Sequence, residues 1–176
     1  MASTAASNYE RLSANAKTIL KADSSGLTRS EKHSLLGAAF LASVAAWNSY
    51  VVTLVPCIYT ALSEPVQLRY SHVLSLLEAE SEQKLRKFNT PNAENTRTLF
   101  MGVVGYDPWS DWSCARRGLS ALAARQRLNE ILQVRHSLAH GSSMPSYTWN
   151  QSTGGDTRLT LHAVEWTGSF LSHLVM

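Results

Sequence analysis

An arginine and a histidine lie five residues apart at the end of one apolar segment, and both could act on a phosphate group. Arg135 falls inside an apolar stripe when this segment is placed on a helix with about 100° per residue. A guanidinium cannot lose its charge, so it is unfavourable there unless it is ion-paired, extends along the helix to water, or faces a cleft. The sequence favours neither a structural nor a functional role for Arg135. The stripe comprises Ala124, Leu128, Ile131, Leu132, Leu138 and Ala139.

His140 is expected in the last helical turn, directly before the helix-ending Gly141. Unpaired carbonyls and the negative end of the helix dipole favour a protonated imidazole there. On a straight helix, Arg135 and His140 point about 140° apart, so one helix does not direct both at one atom. Two copies related by a two-fold axis would bring both residue types into a shared cleft. We therefore expect a homodimer with this helix at its interface.

Two further residues have both a functional and a structural interpretation. His136 and His140 are four residues apart and could share a metal, but no HExxH glutamate and no nearby Asp or Cys completes such a site. We expect no metal and no other cofactor, and we assign His136 to lining or orienting a cleft. Asn48, within an apolar helix, is either a buried hydrogen-bonding group or a cleft residue near Arg135.

Size and composition predict one globular domain over residues 1–176, with a flexible N-terminus at 1–8. The chain has 44% hydrophobic and 16% charged residues, which excludes a disordered or collagen-like protein. Sixteen Lys and Arg against 13 Asp and Glu leave a net charge of +3, compatible with an anionic partner. Cys57 and Cys114 form no CxxC motif, which favours a reducing, cytoplasmic location.

One uncharged stretch, residues 35–63, is long enough to cross a bilayer of about 30 Å. Its scattered Ser, Thr and Asn residues, Pro56 and its many alanines favour a buried central helix instead. Residues 1–8 also lack the pattern of a secretory signal. We therefore expect no membrane association.

Apolar periodicity and the Gly and Pro positions predict a mainly α fold, an antiparallel helical bundle with a small β-hairpin before the C-terminal helix. Thr90 is the expected N-cap of one helix, with Pro91 at its first position. The hairpin is expected from 147–149 and 158–161 around Gly154-Gly155. The other expected helices span about 9–21, 30–63, 64–87, 111–140 and 163–175.

The segment RHSLAHG at 135–141 resembles the HEPN superfamily motif, which is Arg, four to six residues, then His. Three further segments resemble the RiboL-PSP-HEPN branch in the same order along the chain. In that branch the residue after the tryptophan is often acidic, whereas here it is Asn48. The three segments are AWNSY at 46–50, FNTPNAEN at 88–95 and RLNEI at 127–131.

The resemblance implies a helical, dimeric, metal-independent endoribonuclease of a toxin or defence type. His140 would take the proton from the RNA 2′-hydroxyl or protonate the leaving 5′-oxygen, and Arg135 would stabilise the growing phosphate charge. The products would be a 2′,3′-cyclic phosphate and a 5′-hydroxyl. The site residues supporting these two are His136, Asn48 and Ser137.

The partners that this interpretation implies are RNA and an antitoxin or inhibitor protein. Four arginines could line the RNA approach or be ordinary solubility charges, and four aromatic residues could stack on bases or simply pack. The alternative functions are a catalytically silent RNA- or nucleotide-binding module and the interaction half of a toxin–antitoxin pair. The four arginines are Arg116, Arg117, Arg125 and Arg127. The four aromatic residues are Trp109, Trp112, Tyr147 and Trp149.

Overall fold

The fold of this chain is mainly helical, as the sequence predicts. A computed structural model describes residues 4–22, 24–63, 70–113, 118–151 and 157–175. A short 3₁₀ helix, Pro108–Ser110, lies between α4 and α5. The six α-helices of the described part are α1 (Thr4–Leu20), α2 (Arg29–Ser63), α3 (Ser71–Lys87), α4 (Ala93–Val104), α5 (Ala121–His140) and α6 (Leu161–Val175).

Helix α2 forms the centre of the core and contacts all five other helices. Helix α1 lies along it: Asn8 Nδ2 donates to Ser49 Oγ at 3.0 Å. The Tyr9 hydroxyl donates to the carbonyl of Gly168 in α6 at 3.5 Å, which joins α1 to α6. Residues 4–8, which belong to the segment expected to be flexible, form the first turn and a half of α1.

Helix α2 is also long and apolar enough, by length and composition alone, to cross a membrane. Pro56 lies within it and does not end it. Half of its most apolar window is buried inside the structure. A core helix and a membrane span both pass this test, so the expected absence of a membrane partner stays a prediction.

The start of α4 is held by three side chains from elsewhere in the fold. The buried indole of Trp47 donates to the Pro91 carbonyl at 3.2 Å. Trp109 Nε1 donates to the carbonyl of Ala93 at 2.9 Å, and Asn129 Oδ1 accepts from the backbone N–H of the same residue at 2.9 Å. These bonds join α2, α4 and α5 at one point. Trp112 packs edge-on against Trp47 with centroids 5.3 Å apart.

The predicted N-cap at Thr90 is wrong, because Asn92 caps α4. Asn92 has an extended backbone, and its Oδ1 accepts from the backbone N–H of Asn95 at 2.7 Å. The Thr90 carbonyl instead accepts a hydrogen bond from the Asn95 side chain. The bonds from Trp47 and Asn129 place the first turn of α4 two residues later than a helix that begins at Pro91 would have it.

The predicted start of α5 near residue 111 is also wrong. The helix begins at Ala121, and the Ser120 hydroxyl caps it by accepting from the Ala123 N–H. Gly118 has a φ of 66°, a left-handed conformation that interrupts a right-handed helix. Arg116 and Arg117 lie outside the described residues.

The small β-hairpin is not seen, and the described residues contain no strand. An isolated antiparallel bridge pairs Gln151 with Thr157, and Gly154-Gly155 lies outside the described residues. The fully buried Asn150 explains the difference, because its side chain accepts from the Tyr147 N–H and donates to the Pro145 carbonyl. These bonds fold 145–150 into a turn.

We expect Trp47→Phe to lower the free energy of unfolding by about 1–3 kcal/mol, because the buried Pro91 carbonyl loses its donor. Urea denaturation followed by circular dichroism measures this loss. Leu122→Ala is the control, since Leu122 is 64% exposed and its loss should change stability by less than about 0.5 kcal/mol. Equal unfolding midpoints for wild type and Trp47→Phe would contradict the role assigned to this indole.

Candidate functional site at the end of helix α5

Helix α5 ends where the sequence predicts. Gly141 adopts φ 65° and ψ 22°, and its N–H bonds to the Ser137 carbonyl. A left-handed backbone conformation at this position favours glycine, which has no Cβ to clash. His140 therefore lies in the last turn, and its side chain is exposed.

Arg135 is half-buried and lies among the buried residues of the predicted apolar stripe. Leu128 and Ile131 are fully buried, and Leu132 is nearly so. Ala139, one turn later on the same side, is exposed, so the apolar surface ends next to Arg135. No ion pair or hydrogen bond joins the Arg135 side chain to any described residue. Its guanidinium can thus accept an anionic partner from outside the protomer.

The two histidines of the motif contact each other. The rings of His136 and His140 have centroids 4.3 Å apart, and both side chains are exposed. No contact joins Arg135 to His140 in the described chain, as the angle of about 140° between them on one helix predicts. One protomer therefore presents an imidazole pair and a guanidinium on different sides of α5.

The remaining supporting residues have different surroundings. Ser137 is buried, and its hydroxyl donates to the Gln133 carbonyl at 3.1 Å within α5. Asn48 is half-buried on α2, and its buried Oδ1 has no hydrogen-bond partner among the described residues. No hydrogen bond links Asn48 to Arg135 within those residues.

Two clefts flank the C-terminal half of α5, and Ser137 lines both. The first, of about 590 Å³, lies between α2 and α5 and is lined by Gly37, Leu41 and Leu138 among others. The second, of about 580 Å³, is lined by His136 and by the side chains of Asn92, Asn129 and Gln133, so we call it the amide cleft. Arg135 and His140 line neither cleft.

Sequence reasoning missed the three amide residues of the second cleft. Asn129 and Gln133 lie seven and three residues before His136, which is the spacing of one helix face. That spacing is a signal in the sequence. The approach of Asn92 from α4 is not, because it depends on how the two helices pack.

The two described candidate RNA-binding arginines both have acidic neighbours. Arg127 Nη1 lies 3.2 Å from Glu130 Oε2, and its guanidinium lies 5.0 Å from the centre of the Trp166 ring. Arg125 Nη2 lies 3.6 Å from Glu94 Oε2. Their charges are partly neutralised within the fold, and a role in RNA binding stays a prediction.

The four aromatic candidates all pack within the fold. Trp109 is buried, and Trp112 packs against it and against Trp47. The ring of Tyr147 stacks on Trp149, whose Nε1 donates to Glu130 Oε2 at 3.0 Å. In this structure these four rings therefore pack against other side chains, which is the second of the two interpretations given above.

Among the described residues, no group of three or more His, Cys, Asp or Glu side chains could hold a metal ion. No protein-family model, curated protein or solved structure matches this chain. The function of this chain is therefore inferred from the motif and from the geometry of α5.

We expect Arg135→Met to leave the free energy of unfolding unchanged or to raise it by up to about 1 kcal/mol. Methionine keeps the length and helix propensity of the side chain and removes a half-buried charge that no described residue pairs with. Arg127→Met is the matched control, and it should lose about 1–2 kcal/mol with its contacts to Glu130 and Trp166. Urea denaturation measures both. A loss above about 2 kcal/mol for Arg135→Met would identify Arg135 as a structural residue.

Proposed function

We propose that this protein is a metal-independent endoribonuclease of the HEPN type, acting as a homodimer. The observation that carries the proposal is the half-buried Arg135, which has no ion pair or hydrogen bond to any described residue, on the same terminal turns of α5 as two exposed histidines in ring contact. A guanidinium in an apolar surrounding binds a phosphate strongly, because two of its N–H groups match two phosphate oxygens. An RNA phosphate would supply the partner that the described residues do not provide.

The proposed reaction is an attack of the 2′-oxygen on the adjacent phosphorus. His140 takes the proton from the 2′-hydroxyl, the bond from phosphorus to the 5′-oxygen breaks, and water protonates the leaving 5′-oxygen, the resulting hydroxide taking back the proton of His140. Arg135 stabilises the additional negative charge on the phosphate oxygens. The products are a 2′,3′-cyclic phosphate and a 5′-hydroxyl, and no metal takes part.

His136 is a positioning residue in this proposal. Its ring contacts the His140 ring and so restricts the orientations of that imidazole at the end of α5. The dimer is needed for a geometric reason. Because Arg135 and His140 point to different sides of α5, a two-fold axis near this helix would place the arginine of one copy beside the histidine of the other.

We expect the purified protein to cleave single-stranded RNA in the presence of EDTA. His140→Ala should lower the rate about 10²–10⁴-fold, and Arg135→Ala about 10²–10³-fold. Arg135→Lys should also lose at least about tenfold, since lysine keeps the charge without the planar fork. Gel analysis of end-labelled RNA measures the rates and the chemistry of the new ends.

His162→Ala is the control for these variants, since this exposed histidine lies on α6 away from the motif. Cleavage by Arg135→Ala and His140→Ala at the wild-type rate would disprove the assignment. RNA binding without any cleavage by the wild type would instead support the silent binding module.

We expect the inactive variants Arg135→Ala and His140→Ala to restore activity when they are mixed under subunit exchange. In a shared cleft, half of the dimers in an equimolar mixture are mixed, and each mixed dimer has one intact site of two. The mixture should therefore reach about a quarter of the wild-type rate. Light scattering at micromolar concentration should show a dimer throughout. An inactive mixture of exchanged dimers would show that each protomer builds its own site.

A further inference from the structure

A cleft of about 740 Å³, which we call the basic cleft, opens at the start of α2. Arg29, Lys32 and His33 of α2 line it together with Arg158, which precedes α6, and all four side chains are exposed. No acidic side chain is among the described residues that line it. No ion pair or hydrogen bond joins the side chains of Arg29, Lys32 or Arg158 to the described part of the chain. The cleft therefore presents three cations that the described fold does not neutralise.

The only carboxylate in the first turn of α2 is used by the helix itself. Glu31 Oε2 accepts from the Thr28 hydroxyl at 2.7 Å and from the Thr28 N–H at 2.8 Å, which forms a capping box. These two bonds lower the pKa of the Glu31 carboxyl group. Arg29 and Lys32, by contrast, lie at the positive end of the helix dipole, which disfavours cations. Helix stability therefore explains the glutamate and leaves the two cations unexplained.

The backbone of Arg158 is held by the core. Its N–H donates to the carbonyl of the fully buried Asn150 at 3.2 Å, and the next residue, Leu159, is also buried. The fold therefore fixes this arginine in the same cleft as the cations of α2.

The basic cleft continues into the cleft between α2 and α5. His33 lines both clefts, and the consecutive residues Thr157 and Arg158 line one each. The second cleft extends to Ser137 and Gly141 at the end of α5, next to the motif. The two clefts thus share both an α2 wall and a wall formed by the segment before α6.

This combined groove fits a ligand that has both anionic groups and apolar faces. The cations lie in the basic cleft, whereas Leu41, Leu138 and Met144 line the part beside α5. From Arg29 to Leu41, α2 rises about 18 Å, the length of about five nucleotides at a stacked spacing of about 3.4 Å. An RNA strand offers phosphates to the first part and base faces to the second. A free phosphate ion would use the cations alone.

We propose that the basic cleft and the cleft between α2 and α5 form one groove that binds the RNA strand, through its phosphates, on one side of the scissile bond. The inference rests on the proposed function, because it takes the end of α5 as the place of cleavage. Arg29, Lys32 and Arg158 are binding residues here and do not touch the reacting atoms. Contacts to phosphates carry no sequence information, so the groove positions the strand without selecting a base.

Fluorescence anisotropy with a labelled 2′-O-methyl RNA 11-mer tests the binding, because a blocked 2′-oxygen prevents cleavage. Arg29→Gln combined with Arg158→Gln should weaken binding at least about tenfold at about 50 mM salt. The slope of log affinity against log salt should also become shallower by about 1.4, the share of two phosphate contacts on a single strand.

Arg11→Gln combined with Arg86→Gln is the matched control. It removes the same charge from exposed arginines on α1 and α3 that line neither cleft, so the affinity should change by less than about threefold. Thermal unfolding by circular dichroism checks that both double variants are folded.

A second measurement relates the groove to the place of cleavage. Each probe is a 2′-O-methyl 11-mer with a single 2′-hydroxyl, so it can be cut at one position only. At sub-saturating concentration, the wild-type rate should fall about tenfold when fewer than about five nucleotides remain on one particular side of that position. The Arg29/Arg158 double variant should lose this dependence, and the Arg11/Arg86 control should keep it.

The outcomes separate this inference from the proposed function. An Arg29/Arg158 variant with wild-type affinity and salt slope would overturn the groove even if RNA is cleaved, and so would an unchanged dependence on the flanking length. Tighter binding of a labelled glutamate decapeptide than of RNA would overturn it in favour of an acidic protein partner. Weakened RNA binding by this variant, in a protein whose wild type does not cleave, would support RNA binding in the groove and disprove the enzyme.

Discussion

A single buried indole joins the parts of this structure that surround the candidate site. Trp47 lies in the middle of α2, is fully buried, and donates its only N–H to the carbonyl that precedes α4. This bond fixes the approach of α4 to the central helix, and Asn129 then attaches the same turn to α5. The amide cleft exists because these two bonds hold α4 and α5 at one separation. The position of the motif relative to α4 therefore follows from a residue on α2.

Periodicity and helix-ending residues predict most of the helices and the end of α5. The stripe on α5 and the glycine after His140 are local properties, and the structure has both. The start of α5 could not be predicted in the same way, because apolar periodicity alone did not reveal the left-handed Gly118. The prediction of a hairpin was wrong for a related reason. A buried Asn150 bonds the backbone around it, and burial of one polar side chain depends on tertiary packing.

The candidate site shows the same division between local and long-range information. That Arg135 lies in an apolar stripe can be read from its spacing, but the absence of an ion pair among the described residues depends on every element packed near it. The sequence could not predict the environment of Arg127 either, because Trp166 comes from α6 and lies 5.0 Å from the Arg127 guanidinium. Asn92 joins the amide cleft from a different helix. Sequence spacing thus identifies chemical groups, and packing decides which of them are free.

The order of the helices also affects when this fold can form during translation. Helix α6 supplies buried Phe170 and Leu171 to the core, and the Tyr9 hydroxyl of α1 bonds to its backbone. The motif on α5 leaves the ribosome before α6 does, so the surface that α6 supplies to α1 and α2 is missing while the motif is already exposed. In the proposed ribonuclease, late completion of the core would delay activity until α6 has been synthesised. Under the proposed function, a nascent protein would thereby be kept from cutting the messenger that encodes it.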